Sequence, residues 1–137
     1  MAPRVARVWI PGTLPCLNDV IAAAKGFGGR GYGSSRLKSQ WTQTCALHIL
    51  AAGVPKGIKR AHFEFRWVEP NRKRDLDGVA AGGHKFVFDG LVLAKVLDND
   101  GWKQIAGFSD VFEVGSKPGV EVIITEVCNA DHRAEET

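Results

Sequence analysis

A small, single α+β domain, with helices packed against a mixed β-sheet in the order β-α-β-α-β-β, is the fold class that the sequence predicts. Its 137 residues fit one domain of ordinary size. Residues 61–70 alternate apolar and polar side chains as a half-buried strand does, and two other stretches carry an apolar stripe at helical spacing. We expect residues 1–127 to form the domain and residues 128–137 to be a flexible tail.

The first half of the chain predicts one strand followed by helical segments. RVARVWI (residues 4–10) is short, apolar and β-branched, and a Pro-Gly pair ends it. The next stretch is ambiguous, although Asn18 or Asp19 is placed to cap a short helix. Five glycines within residues 26–35 predict a flexible loop. A helix from about Ser35 to Ala52 follows, with the expected core stripe at Leu37, Trp41, Ala46, Leu47 and Leu50.

The second half predicts a strand, a helix and a hairpin. In residues 61–70, one side of the strand is expected to face the core, with Phe63, Phe65 and Trp67. A helix is expected from Asp77, acting as its cap, to about Val96. Residues 105–114 and 119–127 are β-rich and are joined by SKPG, which is typical of an antiparallel hairpin.

Composition excludes several classes of protein. No apolar run approaches the roughly 18 residues that a membrane span needs, and the first residues lack the apolar region of a secretory signal. Three cysteines without CxxC spacing argue against a disulfide framework or a cysteine zinc site. These features predict a cytoplasmic protein with no disulfide partner.

The charge is distributed unevenly along the chain. Residues 1–60 hold nine Lys/Arg and one acid, a balance of +8, whereas residues 61–137 hold nine Lys/Arg and fourteen acids, a balance of −5, which together give the net +3. A basic half indicates a polyanionic partner, and clustered acids indicate a divalent cation. The alternative, equally compatible with these counts, is that the charges only solvate the surface.

The stretch NRKRDLDG (residues 71–78) carries the most informative chemistry. Asp75 and Asp77 are two carboxylates one residue apart, which repel each other unless a proton or a hard cation such as Mg²⁺ lies between them. The later LDND loop offers Asp98 and Asp100. Three acids around Mg²⁺ beside a basic stretch suit phosphodiester cleavage. The alternative is structural, with Asp77 as a helix cap and the later acids as turn residues.

The ordered set RDLDG, KFVFDGL and LDND resembles the core of the RusA-type Holliday-junction resolvases, and PGTLPCLND resembles their early Pro-x-x-Asn segment. The resemblance covers about residues 8 to 126. It implies a homodimeric, Mg²⁺-dependent endodeoxyribonuclease, with Mn²⁺ as a substitute, that resolves four-way DNA junctions by paired symmetric nicks in a bacterial or phage-infected cell. The sequence departs from the family's pattern in two places. Gly78 replaces the usual asparagine, and AAGG resembles an insertion before Lys85.

Carried over residue by residue, the resemblance implies that Asp75, Asp77 and Asp100 bind the metal and that Lys85 is the catalytic lysine. A catalytically inactive junction-binding protein is the main alternative. A nucleotide-sugar transferase is a weaker one, since such enzymes need a larger nucleotide-binding domain. Eight side chains are expected to contact DNA. The cations would bind the backbone, and Tyr32 would stack on a base. These residues are Arg72, Lys73, Arg74, Arg30, Tyr32, Arg36, Lys38 and Lys103.

Three further residues are given structural roles. We expect Asp89 to pair with Lys85 one helical turn away. Trp102 is interpreted as a packed aromatic, although its position after Asp100 also suits a DNA contact. His84 is expected in the core or at the surface, since the chain has no histidine pair at metal-binding helical spacing.

Overall fold

The predicted α+β architecture is confirmed in a computed structural model, which describes residues 4–25 and 32–127, with side chains from residue 35 onward in the second range. It is a single domain in which three helices accompany a four-stranded mixed sheet. None of the helices in the described ranges has the length and apolar character that a membrane crossing requires. The elements, in chain order, are β1 Val5–Pro11, α1 Leu17–Lys25, α2 Tyr32–Ala51, β2 Ala61–Glu69, α3 Leu76–Leu93, β3 Ile105–Val114 and β4 Gly119–Glu126.

Some predictions fall outside the described residues. These are residues 26–31 of the glycine-rich loop, which include Arg30, the Tyr32 side chain and the C-terminal tail from residue 128. Residues 32–35, which were predicted as part of that loop, belong instead to α2, so the helix begins earlier than expected.

The sheet order is β1-β4-β2-β3, so the predicted hairpin of residues 105–114 and 119–127 is wrong. β2 lies between β3 and β4, pairing with β3 in parallel and with β4 antiparallel. The segment that connects β3 to β4 crosses the end of β2, where the Gly115 amide donates to the Glu69 carbonyl at 3.0 Å. Burial explains the order, because β2 and β4 bury much of their length and take the centre, whereas β3 buries no residue fully.

Helices α2 and α3 pack against one face of the sheet, and α1 packs on these two helices. The predicted core residues Phe63, Phe65 and Trp67 lie on this face of the sheet and are at most 2% exposed. The α2 stripe was only partly predicted, because Leu47 and Leu50 are 67% and 47% exposed. Apolar side chains occur all around α2, so its sequence does not fix which side packs. Within residues 35–51, where the side chains of α2 are described, the buried ones are Cys45, Ala46 and Ile49.

Helix α3 starts and ends earlier than predicted. Asp75, not Asp77, occupies the N-cap position, with extended backbone at φ −70° and ψ 137°. The last turn closes at Ala94, after which Lys95 adopts a left-handed φ of 66°. The Val96 amide then donates to the Leu91 carbonyl at 3.0 Å, which directs the chain into the acidic loop that follows.

Two glycines of the apparent AAGG insertion allow α3 to approach its neighbours closely. A Cβ at Gly82 would lie 2.6 Å from the Pro15 carbonyl oxygen. A Cβ at Gly83 would overlap the ring of Trp67. The helix propensity lost at these positions, roughly 1 kcal/mol each, is therefore offset by packing that any larger residue would prevent.

We expect Gly83→Ala to destabilise the fold by about 1–3 kcal/mol, since the methyl group has no room against the Trp67 ring. The matched control is Gly78→Ala on the same helix, because nothing lies within 4 Å of its added Cβ. That change is expected to stabilise by up to about 1 kcal/mol. Urea-denaturation midpoints measure both effects, and equal midpoints for the two variants would contradict the close packing.

Candidate active site

The first acidic group lies at the start of α3, where Asp75 and Asp77 line one cavity of about 420 Å³ together with Asp19 and Lys73. The helix boundary falls between the two acids, since Asp75 is the N-cap residue and Asp77 lies in the first turn of α3. Both side chains are exposed. The Asp75 carboxylate makes no capping hydrogen bond. The positive end of the α3 dipole lies at this point, and such a helix end attracts anions.

Arg74 anchors the segment that carries these acids. Its Nε and Nη2 donate to the two carboxylate oxygens of Glu69 at 2.8 and 2.9 Å, and its Nη1 donates to the Leu14 carbonyl at 2.8 Å. The hydrogen bonds to Glu69 raise the pKa of Arg74 above its ordinary value. The guanidinium is thus committed to contacts within the protein, whereas Arg72 and Lys73 are exposed.

The second acidic group is centred on Lys85, near the middle of α3. Its Nζ lies 3.3 Å from Asp89 Oδ1, which confirms the predicted pair, and 3.8 Å from Asp100 Oδ2. Lys38 of α2 reaches Asp89 Oδ2 at 3.5 Å. Lys38, Asp89 and Asp100 line an open cleft of about 620 Å³ between α2 and the end of α3. With Lys85, which contacts both aspartates, two lysines and two aspartates therefore alternate along the edge of this cleft.

The two acidic groups do not merge within one chain. Across the ranges that the structure describes, no three His, Cys, Asp or Glu side chains form a group able to hold a metal ion. Lys85, which contacts Asp100, stands eight residues along α3 from Asp77, or about 12 Å of helix axis. Carboxylates are the right donors for Mg²⁺. Of the three predicted ligands, Asp75 and Asp77 belong to the first acidic group and Asp100 belongs to the second.

The remaining predicted DNA-contacting side chains lie at the surface. Arg36 and Lys38 are exposed on α2, and Lys103 is exposed before β3. Trp102 is 93% exposed, so its interpretation as a packed aromatic is wrong. The local chain explains this, because a loop ordered by the Arg60 guanidinium, which donates to the Trp102 carbonyl at 2.7 Å, leaves the indole outside.

Asp110 was missed by the sequence analysis. His84 Nε2 lies 2.7 Å from Asp110 Oδ1, and Trp67 Nε1 donates to the same oxygen at 2.7 Å. The His84 ring also packs against Phe65 and Phe108, with centroids 4.6 Å away in each case. The alternation in residues 105–114 would have placed Asp110 on the helix side of the sheet. This hydrogen-bonded set fixes α3 against β2 and β3.

Neither a scan of the chain against protein-family models nor a search of curated proteins finds a match. The RusA-type resemblance rests on the residues themselves.

Proposed function

We propose that the protein is an endodeoxyribonuclease that binds four-way DNA junctions and nicks them symmetrically. The observation that carries the proposal is the contact of Lys85 Nζ with Asp100 Oδ2 at 3.8 Å. These two residues lie on different elements, and the resemblance assigns chemistry to both. Their meeting at the rim of an open cleft supports a shared role there.

The protein's own residues supply two parts of this activity. Exposed Arg72 and Lys73 adjoin Asp75 and Asp77, so phosphates bound by the cations would lie next to the carboxylates. Lys85 holds a positive charge at the surface, positioned by its two carboxylate neighbours, where it can stabilise negative charge on a phosphate. Mg²⁺, or Mn²⁺ in its place, is the proposed cofactor, with Asp75 and Asp77 as its ligands within one chain.

The second candidate function is a junction-binding protein without catalysis. The separation of the two acidic groups within one chain favours it. It keeps the same cations and the same DNA partner, so the two functions differ only in whether strands are cut.

We expect a labelled four-way junction incubated with the protein and Mg²⁺ to be nicked at symmetric positions on two opposed strands, and a linear duplex of the same sequence to stay intact. Denaturing gels report the nicks, and native gels report binding. Because counterions are released from the DNA backbone, binding should weaken steeply with salt. Binding without nicks in Mg²⁺ and in Mn²⁺, across pH, would leave only the second candidate.

A further inference from the structure

A cavity at the end of β3 adjoins the first acidic group. It has a volume of about 400 Å³, and its lining includes Leu76, the first residue of α3, and Val114, the last residue of β3. Arg74 and Asp75 line this cavity, here called the β3 cavity, and they also line the one that contains Asp77. A polymer bound beside Asp77 can therefore place a neighbouring group in the β3 cavity.

Apolar side chains form one wall of the β3 cavity. Phe112 is half-buried and packs against the hydrophobic core, whereas Leu76 and Val114 are 54% and 48% exposed. Core packing holds the aromatic ring in place, and the two aliphatic side chains extend the apolar surface toward solvent. Such a wall favours a flat, apolar ligand that stacks on the ring.

The charges of the lining disfavour an anion in the interior of the cavity. Glu69 is only 8% exposed and is paired with Arg74, whose Nε and Nη2 donate to its two carboxylate oxygens. The other charged residues of the lining are one cation, Arg72, and two acids, Asp75 and Glu113. Since acids outnumber cations in the lining, a neutral ligand suits the interior better than a phosphate does.

Two polar side chains bring hydrogen-bonding groups to the same cavity. Asn71 Oδ1 accepts from the Lys73 amide at 2.9 Å, which orients the side chain, and the NH₂ group of the same amide is a donor. Each carboxylate oxygen of Glu69 takes one bond from Arg74 and keeps a lone pair. Because nucleobase edges carry amino and carbonyl groups, these donors and acceptors match them.

We propose that the β3 cavity binds one unstacked nucleobase of the DNA, stacked against Phe112, while the adjoining phosphate lies beside Arg72. Arg72 is exposed and lines the cavity, so the anionic backbone and the neutral base each meet a suitable partner. The choice of a nucleobase rests on the proposed function, because DNA is the ligand which that function brings to Asp75.

This binding mode favours branched DNA over linear duplex. A base must leave its neighbours before it enters the cavity, and the cost is smallest where pairing is already disturbed. The branch point of a four-way junction is such a place. Stacking on an aromatic side chain raises affinity roughly five- to hundredfold per base. The cavity therefore contributes to the choice of substrate as well as to the strength of binding.

The fluorescence of 2-aminopurine detects an unstacked base. The probe replaces each base around the branch point in turn, and the protein is added in EDTA, so that binding is measured without Mg²⁺. Wild type is expected to raise the emission at one position, because stacking between DNA bases quenches the probe. A wild-type protein that binds the junction and raises the emission at no position overturns the proposal.

Val114→Trp tests where the base lies. The larger side chain occupies the cavity and leaves the core unchanged, so the rise in emission should vanish and junction affinity should fall about tenfold. The matched control is Val111→Trp on the same strand, since Val111 is 60% exposed on the helix-free face of the sheet. It is expected to behave as wild type. A Val114→Trp protein that keeps the wild-type emission places the base outside the cavity and overturns the proposal.

An abasic nucleotide at the responding position separates stacking from folding. Wild type is expected to bind the abasic junction about tenfold more weakly than the intact one, whereas Phe112→Ala should bind the two equally. Because each comparison is made within one protein, a loss of stability in Phe112→Ala does not affect it. Equal losses in the two proteins would mean that the base does not stack on Phe112.

The nicking assay separates this inference from the proposed function. Nicks in Mg²⁺ without a rise in emission at any position would support the endonuclease and overturn the base site. A rise in emission without nicks would support the base site and leave only the junction-binding protein as the function. A wild-type protein that binds no junction contradicts both.

Discussion

Asp75→Asn and Asp77→Asn are each expected to abolish junction cleavage while junction binding persists or tightens. The amide keeps the shape of the carboxylate but removes the negative charge that a metal ion requires. Loss of one group that acts on the reacting atoms typically lowers the rate by about 10²- to 10³-fold. Binding should not weaken, since each change removes a negative charge beside the cations that are proposed to bind phosphate. Cleavage rate and equilibrium binding to the same labelled junction measure the two effects separately.

The control for these variants is Glu64→Gln, which removes an exposed acid on the helix-free face of the sheet. It is expected to cleave at the wild-type rate. Because Asp75 and Asp77 are exposed and make few contacts, their variants should unfold within about 0.5 kcal/mol of wild type. A folded Asp77→Asn protein that no longer binds the junction would contradict the assignment, since a metal ligand is not needed to hold the phosphate backbone.

Features set by local geometry were predictable from the sequence. The alternation of Phe63, Phe65 and Trp67 fixes which side of a strand is apolar, wherever that strand lies in the sheet. The Lys85–Asp89 pair follows from helical spacing alone. Strand pairing is different, because β3 and β4 look like a hairpin until β2, a strand remote in sequence, takes the position between them.

The candidate site shows the same division between local and long-range information. The sequence shows which charged side chains are present and in what order. Which of them lie together depends on the fold, because the length of α3 separates Lys85 from Asp77. The exposure of Trp102 was equally invisible, since an isolated tryptophan near a strand is usually buried. In the sequence, Arg74 is one more cation in a basic run. Its pairing with Glu69 arises only because the chain bends after β2.

Arg74→Ala is expected to destabilise the protein by about 3–5 kcal/mol, a large part of the roughly 5–15 kcal/mol that keeps a domain folded. Glu69 is only 8% exposed, and Arg74 provides two donors to its carboxylate. Without them the acid is left buried and unpaired, which costs far more than the loss of a surface ion pair. Denaturant midpoints at unchanged slope measure the effect. Arg72→Ala is the matched control, since that neighbouring cation is exposed and should shift stability by no more than about 0.5 kcal/mol.

A double-mutant cycle separates the ion pair from other losses at Arg74. If the pair is the cause, Glu69→Ala with Arg74→Ala should be less destabilised than the two single changes summed, because neither charge is then buried alone. Additive effects would assign the loss instead to the Leu14 carbonyl contact. Cleavage should fall with stability in Arg74→Ala, since the same ion pair fixes the residue before Asp75. An active, fully stable Arg74→Ala protein would mean that the acids are positioned by contacts other than the Arg74–Glu69 ion pair.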